Sequence, residues 1–169
     1  MEREGRIKID LLIKKLNLEN ITLFSIYSLS ILIPLIIGKP QLLVGSAVNF
    51  LITYSTLKFG IKRIIPILIL PSITAYLTGL LLGSTTIFLL YLIPFISFSN
   101  FLYSLFIRKK KYISYLSAIV LKGVFLLLSY YLLNRLISLP KVFLASSCLQ
   151  FVTATIGLIT GVLFYKVTE

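Results

Sequence analysis

Four strongly polar side chains lie deep inside otherwise apolar runs of this sequence: Asn49, Asn100, Lys122 and Gln150. Hydrocarbon cannot solvate polar groups, so each such residue in a membrane span requires a partner and is a candidate binding site. Each also belongs to a stripe of small or polar residues at helical spacing, which predicts that it faces a bundle interior. The stripes are Gly45, Asn49 and Thr53; Ser97, Asn100 and Ser104; Ala118, Lys122 and Ser129; and Ser146, Gln150, Thr153 and Gly157.

These stripes can be interpreted as helix-packing surfaces or as the walls of a binding cavity. Small residues let helices approach closely, and one interhelical amide hydrogen bond contributes on the order of 1 kcal/mol, so the stripes could serve helix packing alone. Four polar residues on four different spans favour instead a shared polar cavity that binds a substrate. A further stripe of Ser72, Ala75, Gly79 and Gly83, and the pair Gly157 and Gly161, are assigned to helix contact.

Lys122 poses the sharpest question, because a charged amine lies within an apolar run. It is eleven residues past Lys111, roughly 16 Å along a helix, whereas a lysine stem reaches only about 6 Å. Snorkelling to the interface therefore fails unless water enters or the helix begins later. The amine could be stabilised by backbone carbonyls, by Asn and Gln side chains, by a partner subunit, or by a ligand with an oxygen or anionic group. It could also lose its proton in part. A ligand, assisted by the amides, is the favoured alternative.

The residue inventory argues against catalysis by this chain. There is no His, and the five acidic residues are Glu2, Glu4, Asp10, Glu19 and Glu169, all near a terminus. The usual general bases, a metal-ligand set and a Ser-His-Asp arrangement are therefore missing, and no Gly-rich phosphate loop of the Walker type occurs. The single Cys148 is interpreted as a packing residue. We expect no enzyme activity, no cofactor and no metal, and a proton-coupled carrier is disfavoured.

The composition places the chain in a membrane. Its 169 residues are 58% hydrophobic and 13% charged, with a mean hydropathy of +1.02. A soluble core of this length could not bury so many large apolar side chains, whereas a bilayer accepts them around each helix. The sequence therefore predicts an all-α integral membrane bundle of six transmembrane helices.

The predicted spans are separated by charges, prolines and glycines. They cover residues 21–37, 41–58, 64–83, 85–107, 112–139 and 142–165, with a tight extracellular turn predicted at 82–85. Residues 1–20 are predicted to form a cytoplasmic amphipathic segment, because Ile9, Leu12, Ile13 and Leu16 recur at helical spacing. Residues 21–169 then form the transmembrane domain.

The distribution of basic residues predicts the orientation. Of the seventeen lysines and arginines, thirteen fall in the segments on one side of such a bundle and three on the other. The remaining one is Lys122, which lies within a span. By the positive-inside rule, both termini are predicted to be cytoplasmic. We also expect a multi-pass protein of the plasma membrane. Topology thereby explains the net charge of +12, so nucleic acid is not expected as a partner. The basic run at 108–111 is expected to meet anionic lipid headgroups.

Four stretches resemble a known family. "VGSAVNFL" at 44–51, "IPFISFSNFLYSLF" at 93–106, "AIVLKGVFLLL" at 118–128 and "LQFVTATIGLITG" at 149–161 are similar to the substrate-binding S components of energy-coupling factor (ECF) transporters. The similarity includes the order and spacing of the Asn, Asn, Lys and Gln positions and spans most of residues 40–165.

The resemblance implies a six-helix subunit that binds a vitamin or other micronutrient, with Asn49, Asn100, Lys122 and Gln150 lining its cavity. It also implies partners: a transmembrane coupling protein and two ABC ATPases that hydrolyse ATP to drive uptake. Many members carry paired small residues in the first helix that dock the coupling protein, but here that span offers Thr22, Ser25 and Ser28. The alternative is a non-transport membrane protein, either an assembly or interaction factor or an unfamiliar membrane enzyme.

Overall fold

The computed structural model describes the backbone of residues 2–168 and the side chains of residues 16–168. The described chain is helical and contains no strand. Its elements are α1 (Glu2–Ile36), α2 (Gln41–Phe59), α3 (Ile61–Thr78), a 3₁₀ helix (Gly83–Phe88), α4 (Leu89–Ile107), α5 (Tyr112–Ile137) and α6 (Val142–Thr168). Within this part of the chain, six helices are long and apolar enough to cross a membrane. The predicted all-α membrane bundle of six helices is therefore confirmed.

The third span differs most from its prediction. It was expected at 64–83, whereas α3 begins at Ile61, directly after Gly60, and ends at Thr78. Gly79 ends the helix because it adopts the left-handed conformation, with φ of 67°, which glycine reaches without a steric penalty. The connection to α4 then runs from Gly79 through the 3₁₀ helix rather than turning tightly at 82–85.

The early end of α3 also corrects one predicted stripe. Ser72 and Ala75 are buried on α3 as expected. Gly79 and Gly83 lie beyond the end of that helix, so they do not extend its contact face. The prediction of a four-residue contact stripe on this span was wrong because hydropathy alone does not reveal a left-handed helix cap within an apolar run.

The six helices form a ring around an interior that α2 partly enters. Neighbours around the ring are α1, α3, α4, α5, α6 and α2, and α2 also contacts α3 and α4. Successive helices alternate in direction because the connections are short. We call the end formed by the connections 37–40, 79–88 and 138–141 the loop end, and the opposite end, which holds Lys58, Lys62, Arg63, residues 108–111 and Lys166, the basic end.

Two apolar clusters fill the bundle at different depths. The larger lies toward the basic end and includes Ile52, Ile64, Ile67, Tyr103 and Ile107, all fully buried. The smaller lies toward the loop end and includes Ala75, Leu89, Leu92, Tyr130, Leu139 and Phe143. Many large apolar side chains point outward, as at Phe24 and Leu77, which suits a surface that faces lipid.

Glycines on α6 allow close packing against α2. A Cβ added at Gly157 would lie 2.4 Å from the Cβ of Asn49, and one at Gly161 would lie 2.7 Å from the Cβ of Thr53. One turn toward the loop end, a Cβ at Gly45 on α2 would lie 2.9 Å from Cγ2 of Thr153. The predicted role of Gly157 and Gly161 in helix contact is confirmed. We call this close contact the α2–α6 seam, and it fixes the position of Asn49.

The predicted amphipathic segment 1–20 falls largely outside the described side chains. The backbone of α1 runs as one helix from Glu2 to Ile36, without a break at the predicted boundary after residue 20. Among its four predicted apolar positions, only Leu16 has a described side chain, and that side chain is exposed. The membrane-surface role of this segment stays a prediction.

Candidate functional site

Lys122, Asn49 and Asn100 meet at mid-depth in the bundle. The Nζ of Lys122 on α5 donates hydrogen bonds to the amide oxygens of Asn49 on α2 and Asn100 on α4, the latter at 2.7 Å. The three residues are 2%, 1% and 4% exposed. We call them the Lys122 cluster. The sequence placed them on three interior stripes, and the structure brings their side chains into direct contact.

Each asparagine is held in place by its other amide atom. Asn49 Nδ2 donates to the Thr153 hydroxyl on α6 at 3.2 Å, and Asn100 Nδ2 donates to the Leu68 carbonyl on α3 at 2.9 Å. With both nitrogens engaged in this way, both amide oxygens point at Lys122. An amide presents one acceptor and one donor group, so the cluster offers acceptors to the amine from two fixed directions.

These hydrogen bonds stabilise the Lys122 amine in the middle of a membrane span. A lysine at the centre of a span costs about 2.5–3.5 kcal/mol on insertion scales, while a hydrogen bond to a charged group contributes about 1.5–3 kcal/mol. Two such bonds are of the size needed to offset the cost. Snorkelling is not required, and α5 begins at Tyr112, so the helix does not start later as that alternative demanded.

Tyr103 lies against the side of the cluster that faces the larger apolar cluster. The Lys122 Nζ is 4.9 Å from the centre of its ring, a distance at which a cation is attracted to the aromatic face. The Tyr103 hydroxyl donates to the Ala154 carbonyl at 2.9 Å and is 3.1 Å from the Thr53 hydroxyl. This tyrosine was missed from the sequence, although it follows Asn100 at i+3 on the same helical face.

A cavity extends from the Lys122 cluster toward the loop end. Its volume is about 120 Å³, and all six helices contribute to its walls. Apolar side chains dominate: Val44, Val48, Leu81, Leu82, Leu89, Leu92, Ile96, Leu126 and Phe143. Because fully buried residues of the larger apolar cluster fill the bundle on the other side, the Lys122 cluster forms the floor of the cavity.

Gln150, the fourth predicted site residue, lines this cavity without joining the cluster. It is partly buried on α6, one turn closer to the loop end than Thr153. Among the described residues, the hydrogen bonds of the Lys122 Nζ go to Asn49 and Asn100 rather than to Gln150. Gln41 and Ser146 lie nearby in the wall, joined by a hydrogen bond of 2.9 Å from the Ser146 hydroxyl to the Gln41 side-chain oxygen.

The predicted stripes on α2, α4, α5 and α6 contain no exposed residue, so their interior orientation is confirmed. Several wall residues were not predicted, including Pro34, Pro71 and Ser147. Among the described residues, no group of three or more His, Cys, Asp or Glu side chains could hold a metal ion. The arrangement suits non-covalent binding, since it combines an apolar cavity with a few convergent polar groups.

Comparisons with protein-family models, with curated proteins and with solved structures each found no match to this chain. The resemblance to ECF S components therefore rests on the four sequence stretches alone and stays a prediction.

Proposed function

We propose that this chain is an S-component-like membrane subunit that binds a vitamin or other small micronutrient for ATP-driven uptake by an ECF-type transporter. One observation carries the proposal: a cavity walled by six helices ends at mid-depth on a fixed polar floor of Lys122, Asn49 and Asn100. Helix joining alone needs the hydrogen bonds but does not need the space above them.

The orientation of the bundle supports capture from outside the cell. The basic end carries most of the described lysines and arginines, whereas the loop end carries Lys39, Arg135 and Lys141. By the positive-inside rule, both termini are cytoplasmic and the cavity lies on the outer side of its floor. In the plasma membrane, such a cavity would receive a nutrient from the medium.

The chain would bind substrate but would not pump it by itself. Its sequence contains no Walker-type loop and no acidic residue between Glu19 and Glu169, so ATP hydrolysis is assigned to partner ATPases and not to this chain. A transmembrane coupling protein would link those ATPases to the bundle. In this chain the first span lacks the paired small residues that dock the coupling protein in many members of that family.

The second candidate, a non-transport membrane protein, also has support. The polar side chains join helices: Asn49 links α2 to α6, Asn100 links α4 to α3, and Lys122 links α5 to both α2 and α4. An assembly factor could use these bonds for cohesion alone. The two candidates differ in whether a ligand and the transport partners bind.

Co-purification tests the transport assignment. We expect the affinity-tagged chain, expressed in its source cells and extracted in mild detergent, to bring down a membrane coupling protein together with ATPases that carry Walker motifs. A control purification with an unrelated six-span protein bearing the same tag sets the background. Recovery of the chain without either class of partner would contradict the assignment to an ECF-type transporter.

A further inference from the structure

The Lys122 amine has more donor capacity than its protein partners use. An ammonium carries three hydrogens, and the described hydrogen bonds of Nζ go to two amide oxygens, those of Asn49 and Asn100. Lys122 also lines the cavity, so a ligand there can meet the amine. When the amine is protonated, it therefore offers a ligand one N–H donor together with a positive charge.

Each asparagine also has a second Nδ2 hydrogen beyond the one used in its described hydrogen bond. Their Nδ2 groups are engaged by the Thr153 hydroxyl and the Leu68 carbonyl, and their oxygens face Lys122. The Tyr103 hydroxyl is likewise held by Ala154 and Thr53 on the far side of the floor. The spare N–H groups of Lys122 and the two asparagines therefore favour a ligand group that accepts hydrogen bonds at the floor.

The charge around the cavity favours an anionic acceptor. Lys122 lines the cavity, and no Asp or Glu does so among the described residues. A ligand carboxylate at hydrogen-bonding distance would favour the charged form of the amine, and the two charges would compensate each other away from water. A cationic ligand would instead meet Lys122 with no carboxylate to offset the repulsion.

The walls define the rest of the ligand. Apolar side chains such as Val48, Leu92, Ile96 and Leu126 surround the space above the floor, whose volume is about 120 Å³. These walls favour a small, largely apolar body. Gln150, about one helical turn nearer the loop end than the floor, offers an amide for a second polar group.

Building on the proposed function, we propose that the substrate class of this site is a small carboxylic acid with an apolar body. Its carboxylate lies on the floor and accepts a hydrogen bond from the Lys122 Nζ. The other two Nζ hydrogens go to the amide oxygens of Asn49 and Asn100. The apolar body lies along the cavity toward the loop end. The selectivity is for acid over the matched amide or amine.

A matched probe series tests this selectivity on the full chain in lipid nanodiscs. Dissociation constants are measured for hexanoate, hexanamide and hexylamine. We expect the wild-type chain to bind hexanoate at least about tenfold more tightly than either of the other two. Hexadecanoate and hexadecanamide test whether the ligand is instead a fatty acid from the membrane. We expect hexadecanoate to bind no more tightly than hexadecanamide, because the long chain exceeds the cavity.

Three variants assign the selectivity to the floor. Lys122→Met should abolish the preference for hexanoate, while Lys141→Met, which removes a charge at the loop end away from the cavity wall, should retain it. Asn49→Asp should also abolish the preference, since an internal carboxylate would occupy the amine. This variant keeps Lys122 and tests the proposal even if Lys122→Met does not fold.

The proposal is overturned if no short probe binds, if hexanamide or hexylamine binds as tightly as hexanoate, or if the acid preference persists in Lys122→Met. It is also overturned if only the long acid binds selectively. Co-purification with the coupling protein and ATPases does not depend on the ligand class. Loss of acid selectivity with those partners still bound would therefore reject the substrate class and leave the transport assignment in place.

Discussion

The Nζ of Lys122 on α5 donates a hydrogen bond of 2.7 Å to the amide oxygen of Asn100 on α4. Asn100 in turn donates to the Leu68 carbonyl on α3, so one chain of hydrogen bonds crosses three helices at mid-depth. Asn49 and Thr153 continue it through α2 and α6. The same atoms hold the bundle together and form the floor of its cavity, so separating these two roles requires variants that change one of them at a time.

Aspartate should be tolerated at position 49 and not at position 100. Asn49 Nδ2 faces the Thr153 hydroxyl, which can turn and donate to a carboxylate, whereas Asn100 Nδ2 faces the Leu68 carbonyl, which can only accept. We expect Asn100→Asp to lower the free energy of unfolding by about 1–3 kcal/mol relative to Asn49→Asp, because a buried acceptor loses its donor. Thermal unfolding of both variants in nanodiscs measures the difference. Equal stabilities would contradict these amide orientations.

Widening the α2–α6 seam should destabilise the bundle. A Cβ at Gly157 would lie 2.7 Å from both the Asn49 carbonyl carbon and the Phe50 nitrogen, and backbone atoms cannot rotate away. Gly157→Val should therefore cost about 1–3 kcal/mol, the range for overpacking. Ala145→Val, on an exposed position of the same helix, is the control and should be nearly neutral. Equal unfolding temperatures for the two variants would contradict the close contact between α2 and α6.

Tyr103→Phe should separate stability from the electrostatics of the floor. It removes the hydroxyl that donates to the Ala154 carbonyl and meets Thr53, but keeps the ring beside the Lys122 Nζ. We expect a loss of roughly 0.5–1.5 kcal/mol, since one buried hydrogen bond to the Ala154 carbonyl is removed, with the preference for hexanoate over hexanamide unchanged. Tyr131→Phe, on an exposed ring, is the matched control. A Tyr103→Phe variant as stable as wild type would show that this hydroxyl contributes little.

Much of the fold could be predicted because bilayer physics acts on composition. A span needs about 20 apolar residues, and charges, prolines and glycines divide this sequence into six runs of roughly that length. The boundary between α3 and α4 was misplaced in this way, because the sequence stays largely apolar from the end of α3 at Thr78 to the start of α4 at Leu89. A left-handed cap depends on backbone conformation, which hydropathy does not encode.

The site was partly predictable for a similar reason. Asn49, Asn100 and Lys122 stand out because polar groups are costly in hydrocarbon, and interior stripes on separate helices are expected to converge. Tyr103 and the cavity walls could not be identified, since Tyr, Leu and Phe occur on every face of a membrane helix. Whether the oxygen or the nitrogen of each asparagine amide faces the amine also depends on partners on other helices. One of them is the backbone carbonyl of Leu68, which the sequence does not reveal.

The orientation of the bundle can be tested by cysteine accessibility in intact cells. In a Cys148→Ala background, we expect Lys141→Cys at the loop end to react with a membrane-impermeant maleimide and Lys111→Cys at the basic end to be protected. Both positions are exposed in the bundle, so a difference between them reports the side of the membrane. Permeabilised cells supply the control, in which both should react. The reverse pattern in intact cells would place the cavity on the cytoplasmic side.

The central claim is that the cavity above Lys122 holds a ligand, and native mass spectrometry of the chain purified from its source cells tests it most directly. We predict that the wild-type chain and the Lys141→Met control each carry an additional small-molecule mass that dissociates on collisional activation. Lys122→Met, folded and purified in the same way, should lack that mass. An identical bound mass on Lys122→Met, or none on the wild-type chain, would contradict the account and leave the Lys122 cluster as a device that only joins helices.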